Sequence, residues 1–410
     1  MLTPAASVTQ LFLELVAIPS PSGRERALAE KIRDWLAANG VTARFDRAGA
    51  VNGSDAGNLI ATVPGAEGAP TYLFLAHMDT VESGTPPVSP QLDDDGVIRS
   101  DGQTILGADN KSAVAAVMRL CAAAAGLPSR WRPTVRAAFT CREESGTMGA
   151  SLLQDAVVWA DCAFSIDGSK PIGTVMTKAL GQQVFGFSVH GRRAHAAANP
   201  EDGVSAIRVA AEIIAALPLG RQPLGGSVSI AAIVGGAVID RLSPAALQDL
   251  SSDADGLATV RRALDTTSTN SIPDLALLRG EVRGYSMGEM HATVAAIAEV
   301  ATQVCDAHGA RHEWADEPGR LVPPFPEGGG SRAVELVAAA AETVPGAHFT
   351  REQAHATLEA NYLAARTDVV AVASGGQDPH QLSESITVAE LEQLEALLLA
   401  IVEIGGRGRA

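Results

Sequence analysis

Thr71-Tyr72-Leu73-Phe74-Leu75-Ala76-His77-Met78-Asp79-Thr80 is the stretch on which the reading of this chain turns. Residues 71–76 are a short apolar run of strand type, and polar chemistry begins where the run ends. A spacing of two puts His77 and Asp79 on one face of an extended segment. The imidazole can bind a metal, and the carboxylate can orient it from behind. Taken alone, the pair is more often a turn with a surface His and Asp.

Outward from this run the pattern repeats. Residues 8–39 carry helical periodicity twice, around a break at Pro19-Ser20-Pro21-Ser22-Gly23, with Ser22 placed to cap the second helix and Glu25 as its capping-box partner. Strand-type runs follow at 58–63, 134–140, 162–166 and 368–373, and helical ones at 111–125, 149–158, 331–342 and 388–404. Strands alternating with helices predict an α/β domain with a mainly parallel central sheet. Between residues 181 and 320 the order changes to strand 182–190, helix 202–217, strands 227–234 and 274–282, helix 289–308 and strand 311–314. That order, βαββαβ, predicts a separate α+β domain inserted between residues 1–180 and 321–410 of the first. The polar stretch 236–270 reads as an insertion or mobile loop, Pro323 to Gly330 as a linker, and the closing GGRGRA as a frayed tail.

Composition narrows the function. With 410 residues, 46% hydrophobic and 19% charged, the chain has globular composition and room for two domains. A formal net charge of −16 argues against a nucleic-acid partner. No window approaches the roughly 18 apolar residues of a membrane span. The first twenty residues lack a basic region and carry Glu14, so they read as an amphipathic helix, and the expected location is the cytoplasm. Cys121, Cys141, Cys162 and Cys305 form no CxxC pair and are expected to be buried, reduced thiols.

Further residues with ligand chemistry stand where strands end. Gly107-Ala108-Asp109-Asn110-Lys111 opens a helix, where an Asp alone would be read as an N-cap. Glu143-Glu144-Ser145-Gly146 follows strand 134–140, Asp167-Gly168 follows 162–166, and Gly375-Gly376-Gln377-Asp378-Pro379-His380 follows 368–373. Two adjacent carboxylates repel when buried together. A division of labour, one on a cation and one as a base, relieves that. Strand ends on one edge of an α/β sheet form the usual crevice for a site. Mixed His and carboxylate ligands suit zinc, with manganese or cobalt as alternatives. Two ions with three ligands each and one shared Asp need five residues, and the sequence supplies five.

These motifs, in this order, resemble the two-zinc exopeptidase family that includes peptidase T, carboxypeptidase G, aminoacylase and succinyl-diaminopimelate desuccinylase. Gly191-Arg192-Arg193-Ala194-His195-Ala196, Pro200-Glu201-Asp202-Gly203 and Asn270-Ser271-Ile272-Pro273-Asp274 are similar to its lid-domain segments. Residues 101–109 bring the chain nearest to the peptidase T-like branch. The resemblance implies two Zn2+ per subunit, bridged by Asp109, with His77 and Asp167 on one ion and Glu144 and His380 on the other. It implies Glu143 as general base toward a water between the ions, and Asp79 as the group that orients His77. It implies a lid and dimerisation domain at 181–320. From there His195 would reach across a homodimer interface to the developing oxyanion, and Arg283 with Asn270 would hold a substrate carboxylate. A cis peptide at Asp109–Asn110 is also implied. The expected substrate is a small peptide, with an N-acyl amino acid as the alternative. Asp at 167 favours the aminopeptidase branch over the deacylase and carboxypeptidase branches. Besides the long 236–270 segment, which exceeds the family's usual direct connection, two departures stand out. Asn110 replaces a second Asp, and Thr357-Leu358-Glu359-Ala360-Asn361 replaces a Gly-Gly-Ser-Asp-Ala-Asn type loop.

Overall fold

The structure is a computed structural model and describes residues 6–81, 86–128, 132–241, 254–315, 320–326 and 331–407. The chain divides into two compact units, Met1–Ala179 with Phe325–Ala410, and Leu180–Pro324.

An eight-stranded sheet organises the first unit. Edge to edge its strands are Ala43–Phe45, Leu59–Val63, Thr134–Thr140, Thr71–His77, Cys162–Ile166, Val369–Val372, Thr174–Ala179 and Thr350–Ala354. The four central strands, from Thr134–Thr140 to Val369–Val372, all run parallel, so their C-terminal ends share one edge. Every residue of Thr71–His77 is buried, which is why the run reads as continuously apolar rather than alternating. Tyr72, Phe74 and Ala76 face one core and Leu73 and Leu75 the other. Phe74 stacks on Phe164 with ring centroids 5.0 Å apart, and truncating such a ring to Ala costs about 3–5 kcal/mol.

Helices Val8–Val16, Ala108–Gly126, Ser331–Ala341 and Val388–Arg407 cover the Phe74 side. The first begins where Ser7 and Gln10 exchange capping hydrogen bonds, and it buries Val8, Leu11, Phe12, Leu15 and Val16 at helical spacing. Helix Ala108–Gly126 buries mainly small residues, among them Ala113, Ala115 and Ala116, which lets its backbone lie close to the sheet. A small three-stranded sheet, Ser385–Thr387, Val97–Arg99 and Gln91–Leu92, belongs to the same unit and packs on helix Val388–Arg407.

The second unit has the order βαββαβ: Gly181–His190, Ala206–Ala216, Ser227–Gly235, Leu275–Gly284, Met287–His308 and Arg311–Trp314. Its strands pair antiparallel throughout, and the two helices bury Val209, Ile213, Met290 and Ile297 against Phe185, Phe187 and Leu278.

Local readings fail where distant partners intervene. Helix Arg26–Ala38 has no side-chain cap, because Ser22 donates instead to Asp79 and Glu25 accepts from Gly23, Ser54 and Arg142. The helix expected at 149–158 is two short turns, Met148–Ser151 and Asp155–Val158. Gly149 lies so close to Cys141 that any side chain there would strike its carbonyl oxygen. Within the stretch expected to be an insertion or mobile loop, Ala254–Asp265 is a helix whose late carbonyls at Arg262 and Ala263 accept from the hydroxyls of Thr266 and Thr267. Residues 242–253 lie outside the described residues, as do 327–330 of the expected linker and 408–410 of the tail. Gly405 and Gly406, expected to fray, close the last helix. All four cysteines are buried and unpaired.

Candidate metal centre

The strand-end residues meet at the shared C-terminal edge of the first unit's sheet. His77 closes its strand opposite Thr140, and Leu75 stands opposite Ser165, so Asp167 falls two places further on beside His77. Glu143 and Glu144 follow Thr140, Asp109 sits with a non-helical backbone (φ −80°, ψ 100°) at the kinked start of its helix, and His380 lies in the loop after Val369–Val372. The peptide between Asp109 and Asn110 is cis.

Asp109 lies between two imidazoles. Its Oδ1 is 3.1 Å from His77 Nε2 and its Oδ2 is 3.4 Å from His380 Nε2. His380 Nε2 is also 3.0 Å from Glu144 Oε1. Candidate ligand atoms gather within 4.8 Å of one another in three triads: His77–Asp109–Asp167, Asp109–Glu144–His380 and His77–Glu143–Glu144. The first two share Asp109 and use five residues.

The electrostatics follow from crowding. Burial would raise the Asp109 carboxyl, but hydrogen bonds from His380 and His77 hold it below the ordinary carboxylate range. Hydrogen bonds to Asp109 and Glu144 push His380 up to about 10. Burial, and then the Asp109 charge, pushes Asp167 up to about 8. Burial likewise carries Glu143 well above its ordinary value, with Asp167 and Glu144 adding to it. Four carboxylates this close cannot all ionise without positive charge among them. Hard oxygens with two imidazoles and no thiolate are the donors that divalent cations take. The residues fit an ion in each of the two triads that share Asp109.

Contacts behind these residues add detail. His77 Nδ1 is 3.0 Å from the backbone oxygen of Asp79 but 3.6 Å from its carboxylate. Both the main chain and the carboxylate of Asp79 thus face the imidazole, the main chain at the shorter distance. The fully buried carboxylate accepts from the N–H groups of Glu143 at 2.8 Å and Glu144 at 3.0 Å, and from the Ser22 hydroxyl. Asp79 thus holds the Glu143–Glu144 turn. Among the described residues the non-glycine positive φ values belong to Arg142, Thr147, Asp378 and His380, the two loops that carry Glu143, Glu144 and His380. Such conformations cost of order 1–3 kcal/mol each and persist where surrounding contacts impose them.

Sequence reading missed three buried charged groups here. Glu384 accepts from the N–H groups of Gly107 and Asp109. Lys111, within a quoted motif but given no role, donates to the Ile18 carbonyl at 2.8 Å. Glu359, in the departing 357–361 segment, is buried, and burial pushes it up to about 7. Its position four residues after His380 was the one available signal for Glu384. Asn110 donates to the Ile166 carbonyl at 2.6 Å and so braces the strand that leads into Asp167.

The other expected site residues belong to the second unit. His195 is exposed, and its Nδ1 accepts from the N–H groups of Ala197 and Ala198 at 3.2 and 3.1 Å, which leaves Nε2 as the donor. Asn270 accepts at its backbone oxygen from Ala196 at 2.8 Å, bracing the His195 turn, and at its side chain from Ser268. Arg283 Nε donates to Glu281 at 2.7 Å on its own strand.

Comparison with known proteins matches residues 73–404 to the model of peptidase family M20/M25/M40. The protein YqjE of Bacillus subtilis (strain 168) is 28% identical over 393 residues, covering 96% of each chain. The crystal structure of aminopeptidase PepT from Bacillus cereus ATCC 10987 superposes with a TM-score of 0.79 at 29% identity, over 98% of both chains. That of a tripeptidase from Staphylococcus aureus gives 0.81 at 25% identity, over 99% of this chain and 100% of the other.

Proposed function

The chain belongs to peptidase family M20/M25/M40 and is a metal-dependent hydrolase; within that family we propose that it is a peptidase T-like exopeptidase that removes residues from small peptides with a free N-terminus. The observation that carries this reading is the pair of triads joined at Asp109, with Glu143 beside them. It is supported by the aminopeptidase and tripeptidase structures, similar over nearly the whole chain, and by Asp rather than Glu at 167.

His77, Asp109 and Asp167 would hold one divalent ion, and Asp109, Glu144 and His380 the other. Zinc is proposed, with manganese and cobalt as alternatives. Bound ions of this kind polarise a carbonyl and make water easier to deprotonate. Glu143 takes the proton of the attacking water and passes it to the leaving amine. The Asp79 carboxylate fixes the Glu143 backbone in place. His195 Nε2 donates to the developing oxyanion. Arg283 holds the substrate carboxylate, trading its bond to Glu281 for a forked one. His195 is proposed to serve the site of a partner subunit in a homodimer formed through the second unit. Among the described residues no helix is long and apolar enough to cross a membrane. The cytoplasm is the proposed location.

The test is a panel of free dipeptides, tripeptides and N-acyl amino acids, assayed with zinc, manganese and cobalt. Turnover of free peptides with little activity on N-blocked compounds is expected. Preference for N-acyl amino acids would replace this reading with a deacylase using the same residues.

A further inference from the structure

Asp109 is presented by a turn whose main chain needs an anchor, and the anchor is one side chain from the far end of the sequence. Glu384 is 2% exposed. Its Oε2 accepts from the Gly107 N–H at 2.7 Å and its Oε1 from the Asp109 N–H at 3.0 Å, so both oxygens grip the main chain on either side of Ala108. The Lys111 ammonium, also 2% exposed, is close enough for the two charges to act on each other. Two N–H donors on one carboxylate fix its orientation against the turn.

The same residue belongs to the loop that carries His380. Gln377 and Ser385 close that loop with backbone bonds of 2.8 and 3.2 Å, and the Glu384 N–H donates to the Gln381 carbonyl at 3.0 Å. Directly after Glu384, the strand Ser385–Thr387 pairs with Val97–Arg99. Glu384 therefore joins the segment bearing His380 to the segment bearing Asp109.

The two triads depend on this joint unequally. His77 and Asp167 stand at the ends of neighbouring strands, held by the sheet ladder. Glu144 and His380 stand in loops, and the His380 side chain is 47% exposed.

We propose that Glu384 is a positioning residue that fixes Asp109 against His380 and thereby sets the affinity of the ion held by Asp109, Glu144 and His380. The ion held by His77, Asp109 and Asp167 depends on it far less. This inference rests on the two-ion reading above.

The test is a calorimetric titration of chelator-stripped protein with Zn2+, repeated with Co2+ by absorption. Glu384→Gln keeps the shape but turns an amide donor toward an N–H. Glu384→Asp keeps the charge but is too short to reach both donors. Wild type is expected to bind two ions. Glu384→Gln should bind the first as wild type does and the second about 10–100-fold more weakly, the usual range for a partner behind a ligand. Glu384→Asp should fall between. Wild-type affinity for the second ion in Glu384→Gln, or equal weakening of both, overturns the proposal. If circular dichroism finds the Gln variant unfolded, the same criterion applies to Glu384→Asp. Fewer than two ions on wild type would sink the two-ion reading itself, and this inference with it.

Discussion

In the first unit, His77, Asp79 and Asp167 are 1%, 0% and 8% exposed, and each is held by sheet register or by named hydrogen bonds. In the second unit, His195 and Asn270 lie on the surface, and Arg283 is paired with a carboxylate of its own strand. The difference separates two kinds of site residue. A buried polar group must be satisfied on the spot, so its partners reveal its work. An exposed one is satisfied by water, and its work depends on what arrives. Geometry therefore bears on the proposed metal ligands directly, while His195 and Arg283 must be judged by substrate.

The largest effect should come from the buried side. Glu143→Ala is expected to lower turnover by about 10²–10⁴-fold and leave the metal content near wild type. Loss of an ion with the activity would make Glu143 a ligand, as its triad with His77 and Glu144 allows. On the exposed side, His195→Ala should lower kcat by about 10²–10³-fold with metal content and thermal stability unchanged. A full-rate variant would remove the second unit from the chemistry. Asp79→Asn keeps one acceptor oxygen but turns an amide donor toward either the Glu143 or the Glu144 N–H, and metal affinity should fall about 10–100-fold by competition titration.

The buried charges also predict a pH dependence for chelator-stripped protein. Asp167 is raised to about 8, and Glu384 and Glu359 to about 7, mainly by burial. The fold then binds more protons than the unfolded chain above about pH 4. His380, raised to about 10 by Asp109 and Glu144, stabilises below its ordinary range and loses that as pH rises through 10. Both contributions have the same sign, while Lys111, lowered to about 7 by burial, opposes them above pH 7: Tm should fall from pH 5 to pH 7, and added Zn2+ should flatten the slope. A Tm that rises over this range would contradict the assigned environments. The smallest effect belongs to Arg283→Ala, which should raise KM for peptides with a free carboxylate while changing stability by about 0–1 kcal/mol, as expected for a partly exposed pair.

Much of this was legible in the sequence, for a physical reason. Apolar runs such as 71–76 and 162–166 are confined to buried central strands, so their ends announce where ligands can stand. Those residues carry their chemistry in their type and place. Ser22, Glu25, Glu384 and Lys111 were not legible in role. Their partners lie 57 residues away for Ser22 with Asp79, and 275 for Glu384 with Asp109. A local rule assigned Ser22 to a helix cap, and tertiary contact claimed it instead. Among the described residues the helix Ala254–Asp265 packs Ala263 with Val238 and Val234, a small cluster inside a stretch whose flanks are polar.

The most direct test is a count of divalent ions per chain, by calorimetry and elemental analysis, on wild type and on Asp109→Ala. Two shared-ligand sites predict two ions in wild type and loss of both from the variant, with the fold retained by circular dichroism. One ion in wild type, or one ion bound at full affinity by Asp109→Ala, would contradict an Asp109-bridged pair.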